Sequence, residues 1–193
     1  MKLKEKHFID IHKGVTGLFI LMLMQVYGTW DNPTSWTYLA LHGTYGILWV
    51  LKSRIFPDKS WENETTIWYG LYMWFGLTLY WVSAWIINSG FFNGGIPVAA
   101  PPWLVGLCTS MFGFGVFYHF SADMYKHTLL ETQPGELITA GILSNCRNVN
   151  YFGELLIYLS FALLTIHWLP LVLLAMMMIV VWFPNMLKKD KSL

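Results

Sequence analysis

The chain's polar chemistry is concentrated between residues 119 and 154. This stretch begins His119-Phe120-Ser121-Ala122-Asp123-Met124-Tyr125-Lys126-His127 and passes through Pro134-Gly135-Glu136 and Thr139-Ala140-Gly141. It closes on Asn145-Cys146-Arg147-Asn148-Val149-Asn150-Tyr151-Phe152-Gly153-Glu154, at the start of an apolar run. Ionisable groups at membrane depth are costly, and are functional candidates by default. A helix N-terminus offers unpaired N–H groups to anions. Arg147 beside such a terminus therefore suits a phosphate, with Asn150 and Tyr151 as neutral donors. Gly153 lets a ligand or a neighbouring helix approach closely. His119, Asp123 and His127 recur at i, i+4 and i+8, so a continuing helix would put them on one face, adequate for metal ligation. Membrane hydroxylases need several His-rich boxes, whereas the six histidines here are scattered, and no metal is expected.

The elements that must hold these groups are apolar. Of 193 residues, 55% are hydrophobic, 18% aromatic and 12% charged, and the mean hydropathy is +0.47. Soluble domains carry about 25% charged residues. The composition excludes an ordinary soluble globule, a disordered chain and a nucleic-acid binder that needs a basic face. Cys108 and Cys146 make neither a disulfide framework nor a zinc pattern. The expected class is all-α: a polytopic membrane bundle, a single integral domain over residues 1–193.

A membrane-crossing helix needs about 20 mostly apolar residues. About six stretches qualify: 15–30, 36–51, 67–88, 103–122, 151–167 and 168–187. Gln25 and His42 interrupt the first two, and His167-Trp168-Leu169-Pro170 reads as a tight hairpin because proline suits the first turn of a new helix. With the N-terminus inside, the inner segments 1–14, 52–66, 123–150 and 188–193 hold all 12 Lys and Arg residues. By the positive-inside rule both termini are cytosolic. Most tryptophans near span ends read as an aromatic belt, and the ten methionines as core filler.

The run Gly135-Glu136-Leu137-Ile138-Thr139-Ala140-Gly141 followed by Arg147-Asn148-Val149-Asn150-Tyr151-Phe152-Gly153-Glu154 resembles the C-terminal domain of the steroid 5-alpha-reductase family. It also resembles related membrane proteins sharing Asn-Tyr-Phe-Gly-Glu. Ser121-Ala122-Asp123 matches the Ser-Asp or Ala-Asp at the end of the preceding helix, and the likeness covers about residues 115–190. Asn148-Val149 stand where His-Pro is usual, and the family's Arg-Tyr-Pro tail is not among residues 188–193.

This resemblance implies an NADPH site among the cytosolic ends of spans four to six, closed by loop 123–150. Asp123, Arg147, Asn150, Tyr151 and Glu154 become the cofactor contacts. It also implies a proton donor, a tyrosine assisted by an acid or amide on a neighbouring helix. Tyr45, with Gln25, is the best pair that the first two spans offer. The expected activity is NADPH-dependent reduction of an activated C=C bond in a steroid-like or other lipid-soluble substrate that enters from the bilayer. Membrane lipids are the other expected contact, in the endoplasmic reticulum or the bacterial inner membrane. Two alternatives stand beside it. One is an isoprenylcysteine-type methyltransferase using S-adenosylmethionine, on the same scaffold. The other is a non-catalytic subunit of that fold, in which Asn150–Glu154 persist to pack the fifth helix.

Overall fold

The computed structural model describes residues 3–133, 141–144 and 148–190. Among these residues the chain is helical apart from its connections and one isolated antiparallel bridge between Lys4 and Glu64. The helices line up as six rods. The first is α1 (Glu5–Tyr27), and the second joins α2 (Pro33–Tyr38) to α3 (Thr44–Ile55) through a π turn at Leu39–Gly43. The third joins α4 (Ile67–Thr78) to α5 (Val82–Ser89) through a 3-10 turn at Leu79–Trp81. The fourth is α6 (Pro102–Thr132) and the fifth α7 (Val149–Leu163). The sixth joins α8 (Trp168–Met177) to α9 (Phe183–Asp190) through a second π turn at Met178–Trp182.

The rods follow the six expected stretches. Four of them are long and apolar enough to cross a membrane, and α7 is a shorter apolar helix. Large apolar side chains such as Leu18, Trp68, Phe75, Phe114 and Ile179 stand on the outside of the bundle, which water would penalise and lipid tails accept. The all-α polytopic membrane bundle is therefore the observed architecture.

Local signals set the ends. Asn32 caps α2 by accepting the Thr34 N–H at 2.9 Å, ahead of Pro33 in the first turn. Thr66 caps α4 through the Tyr69 N–H. His167 Nδ1 accepts the Leu169 N–H at 3.2 Å and starts α8, completing the hairpin after α7. Two boundaries differ from expectation. Helix α1 begins at Glu5 rather than near residue 15, and α6 runs on to Thr132 rather than ending at residue 122. Polar residues end a hydropathy window but not a helix. The 31 residues of α6 extend about 46 Å at 1.5 Å per residue, well beyond a 30 Å hydrocarbon core.

Two close crossings hold the interior. α6 and α7 form the most extensive pairing, meeting backbone to backbone where a methyl on Gly115 would sit 2.7 Å from the Gly153 carbonyl oxygen. α1 meets the second rod at Gly17 and Gly43, and Gly46 lies directly against the Lys13 carbonyl. Small residues at such crossings let membrane helices pack by van der Waals contact. At the basic end, Lys4 reaches Glu62 at 2.7 Å, and Lys6 also pairs with it. These two ammonium groups hold the Glu62 carboxyl below the ordinary glutamate range.

Candidate functional site

Polar groups from four rods converge inside the bundle toward its basic end. The seam of α1 that faces inward carries Ile9, Lys13, Thr16, Ile20 and Leu23. Lys13, only 4% exposed, is thereby buried. Its Nζ donates to the Tyr158 hydroxyl of α7. It also sits 4.6 Å from the Tyr45 ring centre, 4.9 Å from Trp49 and 5.8 Å from Tyr80. An ammonium held against aromatic faces is stabilised by their quadrupoles when water is excluded. Tyr80 stacks on Tyr158 with ring centres 3.9 Å apart.

A second buried cation also lies over the Trp49 ring, 4.7 Å from its centre. Lys52 of α3 pairs with Asp123 of α6, at 5% and 12% side-chain exposure. His119, one helical turn before Asp123, stacks on Trp49 at 5.9 Å and donates from Nδ1 to the Asn150 carbonyl at 3.1 Å. A carbonyl can only accept, so the proton is on Nδ1. His119 Nε2, buried and without a hydrogen-bond partner, then faces Asp123 at 3.8 Å. That nitrogen can take up or release a proton beside a carboxylate.

The residues expected from the sequence are brought together in part. Tyr45 is fully buried, and its hydroxyl lies 3.5 Å from Glu154 Oε1, so the second and fifth spans share one site. Asp123 belongs to the same cluster through Lys52 and His119. Asn150 contributes its carbonyl to His119, while the Tyr151 ring packs 5.9 Å from Trp182. Arg147 lies outside the described residues, as do residues 135–140 of the resemblance motif. Gln25 is not at the site: it is exposed and accepts the Trp30 indole N–H at 3.1 Å. It stands 12 residues beyond Lys13 on α1, about 18 Å along the axis. Glu154, not Gln25, is the polar partner of Tyr45. His119 and Asp123 do share a face, but His127 is drawn off toward Glu131 at 3.4 Å. Among the described residues no group of three such side chains is arranged to hold a metal ion.

Lys13 and Lys52 look like cytosolic charges in a tally of inner segments, and the structure corrects both to the bundle interior. For Lys13 the signal was its place on the apolar seam of α1. Tyr80 and Tyr158 are unmarked in the sequence, because membrane spans bury tyrosine freely.

Two small pockets border this cluster. One, with about 300 Å3 of empty space, opens at the basic end between Asp10, Trp49, Lys52, Ser53, Asp58 and Trp61. The other, about 270 Å3, lies between α5, α7 and α8 against Tyr80, Ser83, Tyr158, Ala162 and Leu174. Much of that space is open to solvent, and each encloses room for about one water molecule. The polar pocket thus lies beside α1 and α3, not among the ends of spans four to six, and residues 123–132 are helix rather than a closing loop. No family model, curated protein or solved structure matches the chain.

Proposed function

We propose that the protein is a membrane oxidoreductase that reduces the activated C=C bond of a lipid-soluble enone with NADPH. The observation that carries this reading is the contact between Tyr45 and Glu154, at 3.5 Å in the closed interior of the bundle. It supplies a hydroxylic acid with a carboxylate behind it, on neighbouring helices.

The polar groups are of the kinds that the nicotinamide end of NADPH takes, with Lys52 paired to Asp123 and Ser53 to Asp10 in the cofactor-free chain. The polar pocket combines the ammonium of Lys52 with the carboxylate and hydroxyl of Asp10 and Ser53, and His119 Nε2 is a buried nitrogen with no partner. Carboxamide and ribose hydroxyl groups take such partners. Of the cluster only Lys52 and Trp49 line that pocket; Asp123, Arg147, Asn150, Tyr151 and Glu154 would hold the cofactor on the strength of the resemblance. When bound, NADPH would be the source of a hydride for the β-carbon of the enone. Tyr45 then gives its proton to the α-carbon, and Glu154 carries the replacement proton to Tyr45. The packed aromatic shell of Trp49, Tyr80 and Tyr158 excludes water from that transfer. This reading implies the endoplasmic reticulum or a bacterial inner membrane as the setting.

The test uses detergent-purified protein with progesterone as the enone probe, followed by mass spectrometry of the saturated product. NADPH is expected to raise the melting temperature, since a ligand at 100-fold over its Kd adds about 2.7 kcal/mol. Tyr45→Phe should lower turnover by about 10²–10⁴-fold and leave that thermal shift in place. A shift with S-adenosylmethionine and none with NADPH would overturn the reading in favour of a methyltransferase. No shift with either would leave a non-catalytic scaffold.

A further inference from the structure

Reduction of an activated C=C bond consumes one proton per turnover, and Tyr45, which delivers it, is fully buried. That proton has to be replaced from water. Lys13, the ammonium over the Tyr45 ring, lines neither of the two pockets. Toward the outer end of rod two, Tyr38 and His42 bond to each other at 2.9 Å, and the Tyr38 hydroxyl turns to Ser83 and the Tyr80 carbonyl. The remaining approach is from the basic end. There Lys52 lines a pocket that encloses room for about one water molecule.

From that pocket the ionisable side chains lead inward. Lys52 donates to Asp123, and His119 stands one turn before Asp123 on α6, with Nε2 3.8 Å from the carboxylate. The Asn150 carbonyl holds the proton on Nδ1, so Nε2 presents a lone pair to Asp123, two acceptors facing each other. Such a pair makes a hydrogen bond only by taking up a proton. The nitrogen is buried and has no hydrogen-bond partner among the described residues. The close crossing at Gly153 sets the His119 backbone against α7 one residue before Glu154. The charges acting on His119 are those of Glu154 on α7, Asp123 on α6 and Lys52 on α3. Tyr45 of α3 is the other titratable neighbour, with ring centres 6.3 Å apart, and Lys13 of α1 lies over the Trp49 ring on which His119 stacks. Lys13 and Lys52 oppose Asp123 and Glu154 in charge, so one proton in transit is the cluster's only excess.

We infer that His119 relays the replacement proton, taking it on Nε2 from Asp123, which meets water through Lys52, and passing it to Glu154 behind Tyr45. The purpose of the relay rests on the reductase reading, whereas the transfer itself needs neither cofactor nor substrate. Each step exchanges one bond for another. Lys52 gives a proton to Asp123 and regains one from water. The Asp123 O–H bond breaks as a His119 Nε2–H bond forms, and that bond breaks in turn as a Glu154 O–H bond forms. Glu154 then returns the proton to the Tyr45 phenolate, so one proton leaves water for each that enters product. Nδ1 keeps its proton throughout, and the ring need not turn over. His119 acts through Glu154 and is a relay residue rather than a catalytic one. The mouth at Lys52 is also the proposed cofactor pocket, so reloading falls between turnovers.

The experiment measures hydrogen exchange at single tyrosine hydroxyls of the full chain, in lipid nanodiscs without NADPH. Tyrosine labelled with carbon-13 at Cζ reports whether its hydroxyl carries hydrogen or deuterium after transfer to D2O, and Tyr45→Phe and Tyr38→Phe identify the two signals. Both residues are fully buried, yet Tyr45 is expected to exchange about 10²-fold faster than Tyr38, the worth of a positioned acid–base group. His119→Gln, whose amide can still donate to the Asn150 carbonyl, should bring Tyr45 down to the Tyr38 rate and leave Tyr38 unaltered. A loosened bundle would speed exchange at both, so a merely structural role for His119 gives the opposite sign. If melting curves show that His119→Gln fails to fold, the wild type decides, because equal rates at Tyr45 and Tyr38 overturn the relay. Undiminished exchange at Tyr45 in folded His119→Gln overturns it as well. Slowed exchange in His119→Gln, in a protein that reduces no enone with NADPH, would overturn the reductase reading alone. Reduction with Tyr45 exchange indifferent to His119 would overturn the relay alone.

Discussion

Gly153 offers the sharpest test of how the interior is built. From its type alone the residue leaves room for either a ligand or a helix, and the structure fills that room with the backbone of α6. A methyl group at Gly153 would lie 2.7 Å from the Gly115 carbonyl oxygen and 2.9 Å from the His119 Cα. The His119 backbone nitrogen would be closer still, so to restore ordinary contact at 3.4 Å the two helices must part by about 1 Å, because these neighbours are backbone and cannot swing aside. The same displacement would stretch the 3.1 Å bond from His119 to the Asn150 carbonyl beyond hydrogen-bonding range. Overpacking of this kind costs about 1–3 kcal/mol, offset by up to about 1 kcal/mol of helix propensity gained from glycine to alanine. Gly153→Ala should therefore lose up to about 2 kcal/mol net, a fall of up to about 8 °C in Tm for a chain of this size. Gly113, on α6 with nothing within 4 Å of the same added methyl, is the matched control. Gly113→Ala should melt at or slightly above the wild-type temperature. Thermal unfolding in detergent, followed by circular dichroism, reads both. If Gly153→Ala melted with the control, the close crossing of α6 and α7 would be wrong.

The Lys52–Asp123 pair is buried, so Lys52→Met or Asp123→Leu alone should cost about 3–5 kcal/mol by stranding a charge. The double variant should recover most of that loss, and a double-mutant cycle on melting free energies that found simple additivity would argue against the pair. Gln25→Leu should leave both enone reduction and the NADPH thermal shift unaltered, because Gln25 faces Trp30; a tenfold loss of turnover would return it to the site. Glu62 titrates below its ordinary range because Lys4 and Lys6 donate to it. Its contribution is thus complete above the ordinary glutamate range and disappears as pH falls through the lower, folded value. Exposure keeps that contribution small, so the readout is local. Protection of the Glu5 and Thr65 amides, bonded to the Asn63 and Leu3 carbonyls, should be lower at about pH 3 than at about pH 6, and Glu62→Gln should remove the difference.

The sequence placed Gln25 and Tyr45 together because each is a polar group within an apolar span. Register separates them. Gly17 faces Gly43, and Gly46 lies against Lys13, so these antiparallel rods bring Tyr45 beside Lys13. Gln25, eight residues further out than Gly17, meets the outer turn that carries Trp30, about 12 Å away along the axis. Lys13 was legible in principle, since it falls on the same helical seam as Ile9, Thr16, Ile20 and Leu23. A count of basic residues per loop conceals it. Tyr158 and Tyr80 carry no comparable mark, because their importance comes from what lies across the bundle.

What the sequence determined by itself is what each segment does alone: which stretches are apolar enough to be rods, where proline and capping residues begin a helix, and which end of the bundle is basic. Those are local or additive properties, and the hairpin at His167–Pro170 and the run of six rods followed from them. Only the tertiary structure decided which polar groups meet. Lipid and neighbouring helices accept the same apolar side chains, so hydropathy does not say which face of a rod turns inward. The contact between Tyr45 and Glu154, 109 residues apart, exists because glycines let two pairs of helices close to backbone distance and carry both side chains into one dry interior.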